Sequence, residues 1–296
     1  MTVFLSLLLN GISLGAIYAL IALGFVIIFK SSEVVSFMHG SLILLGAYLV
    51  GRYNGSLGFW PALVIGIVGT ALAAVLTERL LISRLRGAPV ISLAILTIGV
   101  DIVMLTELTR RIGSDILNVD QPWGGDNLTI GSIGITTNRA IAVLVAAVLI
   151  SLFFLAFKFS DWGVSMRAAA EDGEAAALMG IRLGRVSMVA WLVAGVLAAV
   201  AGLFLAGSPT PGVTPGIAAV ALRAFPAAIL GGLDSTGGAL VGGLVVGLAE
   251  SFAAGYQDQI AFLGRGFGDV IPYVVMVAVL LVRPSGLFGT RELTRV

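Results

Sequence analysis

Five stretches of this chain, residues 4–29, 60–80, 88–109, 139–158 and 187–207, are almost wholly apolar. A helix of about 20 residues crosses the hydrocarbon core of a bilayer, roughly 30 Å thick. Repeated runs of that length leave few alternatives, because a lipid-embedded backbone must satisfy its own N–H and C=O groups. Composition agrees: 58% of residues are hydrophobic and 11% charged, against about 45–50% and about 25% in soluble domains. The sequence predicts an all-α polytopic membrane protein embedded in a lipid bilayer.

Shorter or Gly-interrupted runs lie at 36–53, 215–231, 238–254 and 269–283. About nine crossings result, within a range of about 8–10 that includes short and broken spans. The 215–231 run carries Pro215 and Pro226. The first run has no basic segment before it and is too long for a signal peptide's apolar core, so it is read as a retained first span. No low-complexity linker divides the chain, and residues 1–296 are read as one domain.

Lys and Arg in short loops set orientation. One set of loops holds Lys30, Arg79, Arg84, Arg86, Lys158, Arg167, Arg182, Arg185, Arg283, Arg291 and Arg295; the other holds Arg52, Arg110, Arg111, Arg139 and Arg265. The first set is assigned to the cytoplasm, with the N-terminus outside and the C-terminus inside. The loop 110–138, with Asp115, Asp120, Trp123 and Asp126, then faces outward as the longest external segment.

Several chemistries are excluded or disfavoured. There is no cysteine, which removes disulfides and thiolate metal sites. A single histidine disfavours a protein-built zinc or haem site, and a net charge of +1 without a long basic stretch gives no basis for nucleic-acid binding. The glycine-rich 228–248 stretch lacks the Gly-Lys-Ser/Thr of a phosphate-binding loop. Its intervals Gly238–Gly242 and Gly243–Gly247, with Gly11–Gly15 in the first run, are small-xxx-small helix-packing spacings.

The polar exceptions are the candidate functional residues. Asp101 lies mid-span, where an ionisable side chain marks function by default; a structural pair is its other reading. The sole histidine, His39, sits with Ser36 at the start of the second span. Two readings stand for it: a cap on a broken helix against backbone carbonyls, or part of an inner gate. Arg223 is placed to meet a substrate carboxylate, to pair with Asp101, or to pair with a partner chain. Glu107 and Glu250 sit near outer span ends, where solvation is easier.

One charged, alanine-rich segment stands apart, "RAAAEDGEAAALMGIRLGRV", Arg167 to Val186. Read as one helix over about 160–186, it places Met166, Ala169, Ala170, Gly173, Ala177, Gly180 and Ile181 on a small-residue face. Arg167 and Glu171 form an i,i+4 pair on a charged face with Glu174. A solvated connector and a docking surface for another protein are both compatible with that pattern.

"EAAALMG", Glu174 to Gly180, resembles the coupling loop of ABC importer permeases, although the downstream Ile-x-Leu-Pro of that pattern is absent. "NGISLGAIYALIALGFVIIFK", "VVSFMHGSLILLGAYL", "RAFPAAILGGLDSTGGALVGGLVVGLAES" and "VRPSGLFG" extend the likeness along nearly the whole chain. The chain is thereby similar to branched-chain amino-acid ABC transporter permeases of the LivH type. The resemblance implies a bacterial or archaeal cytoplasmic-membrane permease subunit, itself not an enzyme, importing leucine, isoleucine and valine. It implies as partners a second, LivM-like permease, two ATPase subunits that bind ATP and Mg, and an extracytoplasmic substrate-binding protein. It assigns ATPase coupling to Arg167, Glu171, Asp172, Glu174, Ala175, Ala176, Gly180 and Ile181. Related permeases for urea, short amides and sugars share the layout, so those substrates remain alternatives. A stand-alone secondary transporter would need clustered mid-membrane carboxylates, of which Asp101 alone qualifies. An intramembrane hydrolase would need a paired carboxylate, Ser–His or metal arrangement that is absent from the spans.

Overall fold

A computed structural model of the chain describes residues 2–85, 87–113, 117–123, 127–130, 133–207, 212–259 and 266–289. Arg86, Asp115, Asp126, Arg265, Arg291 and Arg295 of the sequence reading lie outside these. The chain is an all-α polytopic bundle, and among the described residues six helices are long and apolar enough to cross a membrane. In order, the helices are α1 (Thr2–Ser32), α2 (His39–Leu57), α3 (Phe59–Thr77), α4 (Val90–Ile112), α5 (Thr137–Phe159), α6 (Asp161–Glu171), α7 (Gly173–Leu178), α8 (Leu183–Leu205), α9 (Gly216–Gly231), α10 (Thr236–Gly255) and α11 (Ile271–Val282). The segment between α4 and α5 adds an antiparallel hairpin, β1 (Asn127–Ile130) with β2 (Ile133–Thr136), pairing Asn127 with Thr136.

α1 is the axis. It is apolar on every side, the signature of a helix surrounded by protein, and 83% of its most apolar window is buried. α10, α8, α5 and α9 pack around it. α4 and α5 are the opposite case, with 11% and 17% of the corresponding windows buried. Side chains such as Ile102 and Val103 on α4 point outward with no protein over them, as lipid contact requires.

Close approach of the helices depends on small residues, because lipid gives no hydrophobic drive to helix association. The α1–α10 seam is glycine on both sides. A Cβ on Gly247 would lie 2.3 Å from the Gly15 Cα, and one on Gly243 would lie 2.5 Å from the Ala19 nitrogen. Gly11 meets Leu248 across the same seam. Gly242 and Gly238 instead close onto α9, at the Ala227 and Gly231 carbonyls. These six glycines therefore face partners within this chain.

α9 shows how a proline is accommodated. Pro226 has no N–H for the carbonyl four residues back, that of Leu222. The Tyr273 hydroxyl on α11 donates to that carbonyl at 3.0 Å. Past the end of α9, the Leu287 and Phe288 N–H groups cap the Leu230 and Gly231 carbonyls.

Candidate functional site

Three polar places interrupt the apolar bundle. The first is the α6–α7 pair, which connects α5 to α8. Ser160 caps α6, its hydroxyl accepting from the Gly163 N–H at 3.1 Å. Asp172 then breaks the run and caps α7, accepting from the Ala175 N–H at 2.9 Å. The sequence reading treated this stretch as one helix with one small-residue face. The break divides that face: Met166 turns inward and is buried, whereas Ala177 and Gly180 face outward, and the residue of α7 that is buried is Ala176, which the single-helix pattern left off that face. The Arg167–Glu171 pair is not formed either, because the Arg167 guanidinium donates to the Phe157 and Lys158 carbonyls at the end of α5. Glu171, Asp172, Glu174 and Ala175 are exposed, and Ile181 is half-buried.

α7 ends in a Schellman-type stop, with the Ile181 N–H bonded to the Ala176 carbonyl and the Gly180 N–H to that of Ala177. The stop places Gly180 in the left-handed region, φ +88°, where glycine carries no Cβ penalty. It also thrusts Leu178 and Met179 out of the molecule, at 88% and 84% exposure. The sequence reading did not single out these two. Their signal was an apolar pair just before a glycine stop, in a segment that cannot itself be embedded. Where α6 and the start of α7 meet the end of α1 there is a cavity of about 450 Å³, lined in part by Ala169, Ala170 and Gly173 with Lys30, Glu33 and Asp234.

The second place is the unwound segment 33–38, between α1 and α2. Unpaired backbone at membrane depth must find partners in protein, and α4 supplies them. Thr97 Oγ1 accepts from the Phe37 N–H at 3.2 Å and lies 3.4 Å from the Val35 carbonyl. One turn on, Asp101 Oδ1 accepts from the Ser41 N–H at 3.2 Å, capping the first turn of α2. His39 caps no backbone carbonyl; the side-chain contact at the start of α2 is instead the Asp101 carboxyl on the Ser41 N–H. The His39 imidazole lies instead in the notch left by Gly24, its ring centroid 4.6 Å from that of Phe25. Among the described residues both imidazole nitrogens and the Ser36 hydroxyl are buried without a hydrogen-bond partner.

The third place joins α1, α9 and α10. Arg223 meets Glu250 at 3.3 Å and Asp269 at 2.8 Å. The Tyr18 hydroxyl donates to the other Glu250 oxygen at 2.7 Å. Asp101 is thus not the partner of Arg223. Next to the cluster is a cavity of about 490 Å³ lined in part by Asn10, Ser13, Asn138 and Arg139. The Arg139 guanidinium donates to Asn10 Oδ1. Tyr18 and Asn138 were missed in the sequence; a polar tip within an apolar run was the available signal. Among the described residues no group of three His, Cys, Asp or Glu is placed to hold a metal ion.

A family model described as "Branched-chain amino acid transport system / permease component" matches residues 7–280. The high-affinity branched-chain amino acid transport system permease protein LivH of Escherichia coli K12 is 31% identical over 309 residues, spanning 99% of this chain and 98% of that protein. The corresponding permease protein BraD of Pseudomonas aeruginosa is 29% identical over 310 residues, with the same coverage. The fructose import permease protein FrcC of Rhizobium meliloti is 26% identical over 220 residues, covering 71% of this chain and 60% of its own length.

Proposed function

This chain belongs to the branched-chain amino acid transport system permease family, and from that premise we propose that it is the membrane permease subunit of an ATP-driven importer for leucine, isoleucine and valine. It performs no covalent chemistry. ATP and Mg are bound by two separate ATPase subunits, a second LivM-like permease completes the pore, and an extracytoplasmic binding protein delivers the substrate. The Lys and Arg bias of the loops supports an orientation with the N-terminus outside and α6–α7 in the cytoplasm.

The observation that carries this reading is the α6–α7 pair. It packs on the bundle through the buried Met166, is fixed to α5 by Arg167 and to α8 by the Trp162 indole N–H on the Val186 carbonyl at 3.2 Å, and ends in two bare apolar side chains. A solvated connector needs no such tip. A knob seated in a groove of the ATPase does: closure of the ATPases on ATP would draw the knob, and with it the inner ends of α5 and α8. Hydrolysis would reset it.

The test is uptake by proteoliposomes holding the full assembly. Radiolabelled leucine should accumulate only with ATP inside and the binding protein outside. A cysteine at Met179 should cross-link to the ATPase. Gradient-driven accumulation by the permeases alone would overturn the proposal.

A further inference from the structure

Other acidic groups on the long helices have counter-ions: on α10 Glu250 has Arg223, and near the end of α4 Glu107 has Arg110 and Arg111. Asp101, in the middle of α4, has one hydrogen bond, from the Ser41 N–H, and no cation among the described residues. It also borders a cavity of about 170 Å³ whose wall includes Phe25, Phe37, Leu105, Leu222 and Phe225. The phenyl rings form one cluster, with Phe225 5.2 Å from Phe25 and 5.9 Å from Phe37 between centroids.

Capping α2 does not explain a carboxyl group here. A cap needs only an acceptor oxygen, and Asn serves caps as well as Asp. A carboxylate at membrane depth without a partner is costly and marks a substrate or ion path. We propose that this cavity is a station on the transport path at which Asp101 receives the α-ammonium group of the amino acid, while the branched side chain lies against the phenyl rings. The assignment rests on the function proposed above and adds the point of contact in this chain. A water takes about 30 Å³ of liquid, so the cavity has the volume of roughly six waters. That volume is on the scale of a single small amino acid. The ammonium group supplies the missing counter-ion, and the aliphatic chain needs no polar contact. A keto acid of the same shape would bring its carboxylate towards Asp101 with no cation between them.

The test uses the complete importer in proteoliposomes, with leucine uptake and ATP hydrolysis measured together. Asp101→Asn keeps an acceptor for the Ser41 N–H, so its melting temperature in detergent should match wild type. Its leucine uptake should fall about tenfold or more, the scale expected when one partner of a desolvated charge pair is removed, while hydrolysis stimulated by loaded binding protein persists. Leu105→Trp, which fills the cavity from α4, should block uptake equally without touching the carboxylate. Wild-type uptake by Asp101→Asn would overturn the proposal. So would a lowered melting temperature for Asp101→Asn together with normal uptake by Leu105→Trp, since Asp101 would then act as a cap alone. Either result leaves the importer assignment intact if the wild-type complex takes up leucine with ATP. Failure of the wild-type complex itself would overturn both.

Discussion

Truncating the tip of α7 is the sharpest test of how this chain is driven. Leu178→Ala and Met179→Ala each remove about three methylene equivalents, worth about 2 kcal/mol at about 0.8 kcal/mol per buried CH₂. Within this chain the two side chains are 88% and 84% exposed, so neither truncation opens a cavity, and surface changes of this kind shift stability by about 0.5 kcal/mol at most. If both seat in a groove of the ATPase, the pair contributes about 4 kcal/mol to docking. At about 1.4 kcal/mol per tenfold, and allowing for non-additivity between neighbours, affinity for the ATPase should weaken on the order of 10²–10³-fold. The assay is titration of purified ATPase onto the permease pair in nanodiscs, read by fluorescence anisotropy, with uptake measured in parallel. The melting temperature of the permease should not change. Wild-type ATPase affinity in the double variant would refute the reasoning, because α7 and its cap expose no other large apolar side chain.

Three further substitutions probe the bundle. Gly247→Leu drives a side chain into the Gly15 backbone, where a Cβ already lies at 2.3 Å; membrane yield and melting temperature should both fall, and an unchanged melting curve would deny the α1–α10 seam. Arg223→Met leaves Glu250 with Tyr18 alone, and breaking a buried pair from one side costs about 3–5 kcal/mol; the half-open site reduces that, and Glu250→Leu in the same chain should recover most of the loss in a detergent melt. Tyr273→Phe strands the Leu222 carbonyl and should cost about 0.6 kcal/mol, up to about 1.7. It should be silent in a Pro226→Ala background, where the restored N–H takes over that carbonyl.

Much of the architecture was legible because a bilayer asks so much of a sequence. Apolar runs of crossing length mapped onto α1, α3, α4, α5 and α8, and Pro215 marked the start of α9. The start of the second span was not legible: the run began at 36, but α2 begins at His39. Thr97 and Asp101 on a different helix set that boundary by satisfying the unwound backbone before it. The division of the charged segment was written locally and outweighed. Asp172 followed by Gly173 and Glu174 is an N-cap with an acidic first turn, but the alanines on either side favour one continuous helix.

The candidate sites divide along the same line. Polar residues are rare in these spans, so Asp101, His39 and Arg223 stood out by depth alone. Their partners did not, because partner choice depends on which helices touch and in what register. The glycine spacings at Gly11–Gly15 and Gly243–Gly247 announced close contacts without saying between what. Once those two stretches face each other, α1 and α10 are locked in a register that brings the Tyr18 hydroxyl to Glu250. Glu250 and Asp269 then claim Arg223. Among the described residues that leaves Asp101 with no cation partner, an outcome of helix packing that could not be read from the α4 sequence.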